Sequence, residues 1–282
     1  MQLSKEKNNS KKPVISLVYM VAGLSSRFGG RVKQFAIVGK NNETLIEVSL
    51  NQALSAGFGK IIFIVGDKTE KLFKEKFGDS YKGIPVFYAK QEYNPDERDK
   101  PWGTCDAVVA AKDLIKEDFV VCNGDDLYGK NTFKILFDYL AEKNSSATIG
   151  FELGKVVPRE GFVNRAIYSF DSENNVLDLK EIIGVEEKKF SELGLTKKTL
   201  CSMNIFALKK EIINLLEQRL NEFKKTNEKN RKIECYLPVE ISGLIKKNEL
   251  SLKLLPTPDD WMGITNPDDE PVLKKILAQE KY

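Results

Sequence analysis

The chain has 282 residues, 41% hydrophobic and 30% charged, a balance that suits one large α/β domain or two small ones with ample chain to bury a core. It contains no histidine, which excludes Ser-His and Cys-His nucleophile systems, HExxH zinc sites and imidazole acid–base chemistry. A net charge of +3 is too mild to argue for nucleic acid and leaves room for a local basic pocket that takes a small anion.

Residues 1–12, MQLSKEKNNSKK, are polar and read as a disordered tail. Lys11-Lys12 before PVISLVYMVAG superficially resembles a signal peptide, but cleavage there would remove a strand that the next loop needs. No stretch approaches the ~18–20 apolar residues of a membrane span. VISLVYMVAG reads as a buried strand, TLIEVSLNQALSAGF as a helix and KIIFIVG as a second strand. KTEKLFKEKFG is a short amphipathic helix, IPVFYAK a third strand, and GTCDAVVAAKDLI a further helix. DFVVCNGDD reads as a fourth strand ending in carboxylates, and NTFKILFDYLAEKN as the helix after it. Strands and helices alternating at this spacing predict βαβ units. The fold class is α/β, a Rossmann-like, mostly parallel mixed sheet flanked by helices, with a more β-rich second half. In that half SATIGFEL, RAIYSFD, NVLDLKEI and LCSMNIFAL read as strands. The helices KKEIINLLEQRLNEFKK and CYLPVEISGLIKK follow, then the strand SLKLLPT and a closing helix PVLKKILAQ. Cys105, Cys122, Cys201 and Cys235 are scattered with no CxxC pair; three of them sit in apolar or small-residue runs, where buried free thiols in a reducing cytoplasm are expected.

Three stretches could carry chemistry. VAGLSSRFGGRVKQ, residues 21–34, has glycines that admit close backbone approach to a phosphate, and Arg27, Arg31 and Lys33 to neutralise it. It is neither a P-loop nor GxGxxG, and an ordinary strand-to-helix turn remains the plain alternative. NGDD, residues 123–126, ends a buried strand where a carboxylate is placed to hold Mg²⁺, although the same residues favour turns. If the strand continued, Asp125 and Asp126 would alternate, and only one would face a ligand. PWGTCDAVVAAKDL, residues 101–114, suggests a closely packed helix start whose backbone could read a base or ribose.

Together, in this order, these stretches resemble the sugar-phosphate nucleotidyltransferases. That family's strand, G-x-G/S-x-R and following lysine correspond to Gly23, Ser25, Ser26, Arg27 and Lys33. Its glutamine, GTA-like helix start and metal aspartate correspond to Gln91, Gly103-Thr104 and Asp125. The resemblance continues through SMNIFAL and WMGITNPDD, so it covers nearly everything from Val14 onward. It implies one nucleotidyltransferase domain over 13–282, with a nucleotide-binding half to about 145 and an acceptor-binding half after it. It implies that the Ala22 and Gly23 backbone contacts the nucleotide, and that Arg27 binds the leaving pyrophosphate. Lys33 is expected beside the α-phosphate, Gln91 and Gly103 on the base, and Asp125 on Mg²⁺. Ser25, Ser26 and Thr104 are assigned to the nucleotide, and Arg165, Glu181 and Asn204 to the acceptor.

Two departures stand out. The W-x-D-x-G-T stretch of the family, which supplies a second metal aspartate, reads Trp261-Met262-Gly263-Ile264-Thr265 here. Asp259 or Asp260 is left to replace that aspartate unless a second metal is absent, and Asp260 is the expected ligand. The acceptor lysine of Glu-Lys-Pro is also missing, since the chain reads Glu181-Ile182-Ile183, and Arg165 is the expected substitute. The expected reaction is attack of an acceptor phosphate on the α-phosphorus of an NTP, releasing pyrophosphate, with a sugar 1-phosphate as acceptor and an NDP-sugar as product. A phosphate monoester has a second pKa near ~6, so the nucleophile is already ionised and no histidine base is needed. The alternatives are a CTP-dependent cytidylyltransferase acting on a phosphorylated alcohol such as phosphocholine, a glycosyltransferase of related fold, and a non-catalytic nucleotide-binding regulator. Phosphocholine would want an aromatic cage, for which Phe162, Tyr168, Phe170 and Phe206 are candidates, though core packing is the plainer reading of them. Expected partners are an NTP and a phosphorylated small molecule, without nucleic acid or membrane, and with room for a homo-oligomer.

Overall fold

Alternating buried strands and amphipathic helices build the first half of the chain. The computed structural model describes residues 14–23, 31–158, 161–264 and 269–279. In chain order it runs β1 (Ser16–Met20), α1 (Leu45–Leu54), β2 (Lys60–Val65), α2 (Glu70–Phe77), β3 (Ser80–Tyr81), β4 (Ile84–Lys90), α3 (Thr104–Ala110), β5 (Phe119–Asn123), β6 (Asp126–Leu127) and α4 (Lys130–Lys143). It continues with β7 (Ser146–Ile149), β8 (Phe151–Glu152), α5 (Leu153–Val156), β9 (Val163–Phe170), β10 (Val176–Val185), β11 (Leu200–Ser202), β12 (Phe206–Leu208), α6 (Ile212–Thr226), α7 (Leu237–Lys246), β13 (Leu252–Leu255), β14 (Met262–Gly263) and α8 (Asp269–Gln279). The main sheet has the order β13-β7-β12-β5-β1-β2-β4-β3. Its centre, β5-β1-β2-β4, is parallel, as the βαβ pattern requires.

The continuous apolar character of β1 follows from its place in that sheet. Leu17 and Tyr19 face one core layer with Ile46 and Leu50 of α1, Phe73 of α2 and Phe133 of α4. Val18 and Met20 face the opposite layer with Val108 of α3, Leu216 of α6 and Ile241 of α7. Both faces are covered by helices, so every residue of β1 is buried. The carboxyl ends of these strands form one rim, with Met20 beside Asn123 on one side and Ile64 on the other.

Two segments expected as single strands are each divided between sheets. SATIGFEL gives β7 and β8, and LCSMNIFAL gives β11 and β12. β7 pairs with β12 in the main sheet, while β8 pairs with β11 in a four-stranded antiparallel sheet of order β10-β9-β11-β8. The two segments thus form one antiparallel ribbon that leaves the first sheet and enters the second. It breaks at Gly150 and at Met203-Asn204-Ile205, where Asn204 takes φ +57°. Asparagine tolerates that left-handed conformation better than most residues. Alternation of apolar residues continues across both breaks, which is why the sequence reads as unbroken strands.

Two shorter expectations also change. The helix after Gly103 ends at Ala110, with turns to Leu114, rather than continuing to Ile115. β5 stops at Asn123, and Gly124 and Asp125 form a turn into β6. A Cβ on Gly124 would collide with Val21 Cγ1, so the turn closes against β1 only with glycine there. All four cysteines are free and buried. Among the described residues no helix is long and apolar enough to cross a membrane.

Candidate active site

Beyond the carboxyl rim, a cavity of about 350 Å³ opens between the main sheet and the antiparallel sheet. Lys33 enters from the short turn after the glycine-rich stretch, and Asp125 from the turn after β5. Arg165 and Glu181 come from the paired strands β9 and β10, and Asn204 from the break in the ribbon. Trp261 closes the cavity from the segment before β14.

Lys33 and Asp125 form an ion pair, with side chains 18% and 22% exposed. Lys33 Nζ also donates to the carbonyl of Ile264, at 2.8 Å. Asp125 is therefore held opposite a cation that the sequence places 92 positions away. Asp126 faces the same cavity, because the strand alternation expected to separate it from Asp125 ends at Asn123. Its Oδ2 accepts from Asn123 Nδ2 at 2.8 Å and lies 3.1 Å from the Tyr128 hydroxyl. Burial, with Asp125 adding repulsion, pushes the Asp126 carboxyl up to about 7. Tyr128 is wholly buried; its hydroxyl donates to the Met203 carbonyl at 2.7 Å and accepts from the Asn123 amide at 3.2 Å. It ties the carboxylate turn to the ribbon break that carries Asn204.

Arg165 donates to the carbonyls of Val156, at 2.8 Å, and Asn164, at 2.9 Å. Its guanidinium carbon lies 5.8 Å from the ring centre of Trp261. Burial lowers its pKa, opposed by Cys201, Asp126 and Glu181. Arg165 Nε and Trp261 Nε1 are buried and have no hydrogen-bond partner among the described residues. Burial raises the Glu181 carboxyl, and Arg165 opposes that rise.

Asp260 does not join Asp125. Its carboxylate is 67% exposed and accepts from Lys155 Nζ at 2.7 Å. Asp259 is also committed elsewhere: it accepts from the backbone amides of Asn131, at 2.7 Å, and Thr132, at 2.9 Å, in the first turn of α4. The glycine that departs from the W-x-D pattern explains the change. Gly263 pairs directly with Asp126 across β14 and β6. A Cβ at 263 would lie 2.7 Å from Trp261 Cη2 and 2.8 Å from Asp126 Oδ1. The space that an aspartate at 263 would need is filled by Asp126 and the indole. The second carboxylate of the cavity comes from the opposite strand.

The residues expected on the nucleotide lie along the rim rather than in this cavity. Ala22 and Gly23 follow β1, Gln91 follows β4, and Gly103 precedes α3. Thr104 Oγ1 accepts from the Leu237 amide at 2.8 Å and so fastens α3 to α7. Ser25, Ser26 and Arg27 lie outside the described residues. The four aromatics considered as a cage are dispersed. Phe206 and Tyr168 are buried in the core, Phe170 does not line the cavity, and Phe162 alone of the four does.

The donor set suits the divalent cation that the family implies. Asp125 and Asp126 offer hard carboxylate oxygens in one cavity. Among the described residues no cluster of three His, Cys, Asp or Glu forms a complete cage. Mg²⁺ characteristically uses one or two carboxylates and completes its shell with water and substrate phosphates, so these residues fit it.

A mostly parallel α/β sheet with a basic and a doubly acidic group at its carboxyl rim has its polar groups where α/β proteins bind ligands, beyond the ends of the strands. Residues 28–242 match the family described as Nucleotidyl transferase, and the chain belongs to that family. The UTP–glucose-1-phosphate uridylyltransferase AglF of Haloferax volcanii is 26% identical over 99 residues, which are 35% of this chain and 37% of that relative. The match thus spans just over a third of the relative's length. Two solved structures share the fold. The UTP-bound UGPase of Acinetobacter baumannii has a TM-score of 0.64 at 16% identity, covering 93% of each chain. A glucose-1-phosphate thymidylyltransferase candidate from Bacillus anthracis, in complex with sucrose, has a TM-score of 0.67 at 12% identity, covering 95% of this chain and 97% of that one.

Sequence reasoning gave no role to Tyr128 or Trp261 and let only one aspartate of the doublet face a ligand. The Asp-Asp doublet was the available signal for Asp126, and the assumption of a continuing strand concealed it. Tyr128 carries no signal beyond its proximity to NGDD, and Trp261 was read only as the first residue of the W-x-D stretch.

Proposed function

We propose that this chain transfers a nucleoside monophosphate from a nucleoside triphosphate to a sugar 1-phosphate, releasing pyrophosphate. The carrying observation is the single cavity in which Lys33, Asp125, Asp126, Arg165, Glu181 and Asn204 face one another. The names of AglF and of the B. anthracis protein support glucose 1-phosphate or a related sugar phosphate as acceptor.

An oxygen of the acceptor phosphate forms a bond to the α-phosphorus as the bond from that phosphorus to the bridging oxygen of pyrophosphate breaks. The acceptor phosphate is already ionised near neutral pH, its second pKa being ~6, so no side chain has to remove a proton. The barrier lies in bringing anions together, and fixed cations with correct positioning lower it. Lys33 supplies an ammonium beside the reacting phosphates. Arg165 lines the cavity with a guanidinium of five N–H donors, two of them bonded to carbonyls, and is suited to the acceptor phosphate. Glu181 and Asn204 accept and donate hydrogen bonds to sugar hydroxyls. Mg²⁺, held by Asp125 and Asp126 together with phosphate oxygens and water, would neutralise charge on the leaving pyrophosphate. The four buried free thiols fit a reducing compartment such as the cytoplasm.

The test is pyrophosphate release with Mg²⁺, each NTP and a panel of hexose 1-phosphates and phosphocholine. Release is expected with one class of sugar phosphate and is lost on chelation of Mg²⁺. Lys33→Met and Asp125→Asn should each reduce kcat/KM on the order of 10²-fold or more, as expected for loss of one electrostatic stabiliser. Full turnover by either variant, or release with phosphocholine alone, would overturn this reading.

A further inference from the structure

Gln91 is 8% exposed and sits at the end of β4, its amide N–H donating to the Val65 carbonyl at 2.8 Å. Its side-chain Nε2 donates to the Gly103 carbonyl at 2.9 Å and to Asp106 Oδ2 at 2.8 Å. A primary amide has two N–H donors, and both are committed. The two partners are a carbonyl and a carboxylate, acceptors only, so the reversed amide would set its oxygen against two acceptors. The orientation is dictated by chemistry rather than by choice of placement. Asp106 is 7% exposed, and its other oxygen accepts from Lys224 Nζ of α6 at 2.5 Å. Lys224 also lies 5.9 Å from the ring centre of Trp102. The carboxylate is therefore held from both sides. Gln91 Oε1 is the one polar atom of that amide left for a ligand, both N–H groups being engaged by Gly103 and Asp106.

We infer that Asp106 is a positioning residue for base selection, fixing Gln91 as a hydrogen-bond acceptor toward the nucleotide base; this rests on the nucleotidyltransferase reading above. Among the pyrimidines, an acceptor at this point favours one whose ring nitrogen carries a hydrogen. N3–H of uracil or thymine satisfies it. N3 of cytosine bears a lone pair, which in the same pose faces Oε1 as acceptor against acceptor. An unpaired or opposed polar group in a closed site discriminates more strongly than a missing methyl group does. Among pyrimidine nucleotides the donor is thus uridine or thymidine rather than cytidine, and the selecting charge is not on the residue that touches the base.

UTP and CTP share ring size and ribose and differ only at N3 and the 4-substituent, so their ratio reads the base edge that Gln91 faces, and dTTP repeats the N3–H edge on a deoxyribose. Their Kd values are measured by calorimetry for the full chain and for Asp106→Asn, alongside thermal unfolding and the acceptor KM. The full chain is expected to prefer UTP or dTTP over CTP by on the order of 10-fold or more. The side-chain amide introduced by Asp106→Asn can donate to Gln91 Oε1 and allow the glutamine amide to reverse, so that preference should shrink severalfold while the acceptor KM is unchanged. General loosening of the site would weaken all three nucleotides together and leave the ratio in place. Lys224→Met, which frees the outer carboxylate oxygen, should narrow the ratio less, and serves if Asp106→Asn does not fold. A preference for CTP in the full chain, or a ratio that survives in both folded variants, overturns the inference. ATP and GTP are titrated alongside; binding of either in place of all three pyrimidine nucleotides also overturns the inference, whereas failure of every one of the five to bind the full chain would instead overturn the nucleotidyltransferase reading beneath it.

Discussion

Gly263→Ala adds one methyl group at the point where the second carboxylate of the cavity is decided. Gly263 does not adopt a positive φ, so alanine brings no backbone strain and the effect is one of space. The new Cβ would sit 2.7 Å from Trp261 Cη2 and 2.8 Å from Asp126 Oδ1, whereas carbon atoms rest about 3.5–4.0 Å apart. The indole therefore has to withdraw by about 1 Å, and the carboxylate with it. Overpacking of this kind costs about 1–3 kcal/mol of stability. Trp261 also faces Arg165 and closes the cavity, so the displacement reaches the acceptor side. A shift of about 1 Å in a positioned site can lower the rate on the order of 10²-fold, and we expect at least a tenth of that effect. The assay pairs urea unfolding with initial rates of pyrophosphate release. An unfolding free energy within about 0.5 kcal/mol of wild type, together with an unchanged rate, would refute the claim that Asp126 and Trp261 fill the place of an aspartate at 263.

Tyr128→Phe should cost about 1–3 kcal/mol, because the Met203 carbonyl and the Asn123 amide lose a buried partner; urea unfolding measures it, with a fall in kcat/KM for the sugar phosphate expected alongside. Asp259→Ala should cost about 1 kcal/mol by removing the acceptor for two amides in the first turn of α4. Asp260→Ala, next in sequence, should change stability by no more than about 0.5 kcal/mol and leave the Mg²⁺ concentration for half-maximal rate unchanged. Burial would raise the Glu47 carboxyl, but bonds from the Thr44 amide, Lys76 and the Thr44 hydroxyl outweigh it and hold it below its ordinary value. A carboxyl depressed by folding contributes stability that is present above its unfolded pKa, about 4.3, and is lost as pH falls through the folded value. Glu47→Gln should accordingly flatten the acid limb of a stability–pH profile.

The α/β architecture was legible because it depends on local period. Buried strands such as SLVYM are apolar throughout when both faces are covered, and helices such as ILFDYL show a stripe. Lys33 and Asp125 were legible for the same reason: each follows a strand whose carboxyl end the pattern locates. Residues brought in by pairing were not. Gly263 looked like a loss until β14 placed it against Asp126, and Asp260 looked like its replacement because it is near in sequence. Asp260 points instead to Lys155, while its neighbour Asp259 closes the end of a helix 128 positions away. The break at Asn204 is equally silent, since side-chain alternation continues through it while the backbone passes from one sheet to another.

The sequence by itself determined the alternation of strands and helices, the absence of histidine chemistry, and the motifs that mark a phosphate-handling rim. Those depend on composition and on neighbours a few residues apart. Only the tertiary structure decided that both aspartates of the doublet share one cavity, that Arg165 and Trp261 wall it, and that Asp106 orients Gln91. Each of those depends on which strand lies beside which, and that is fixed by the packing of the whole chain.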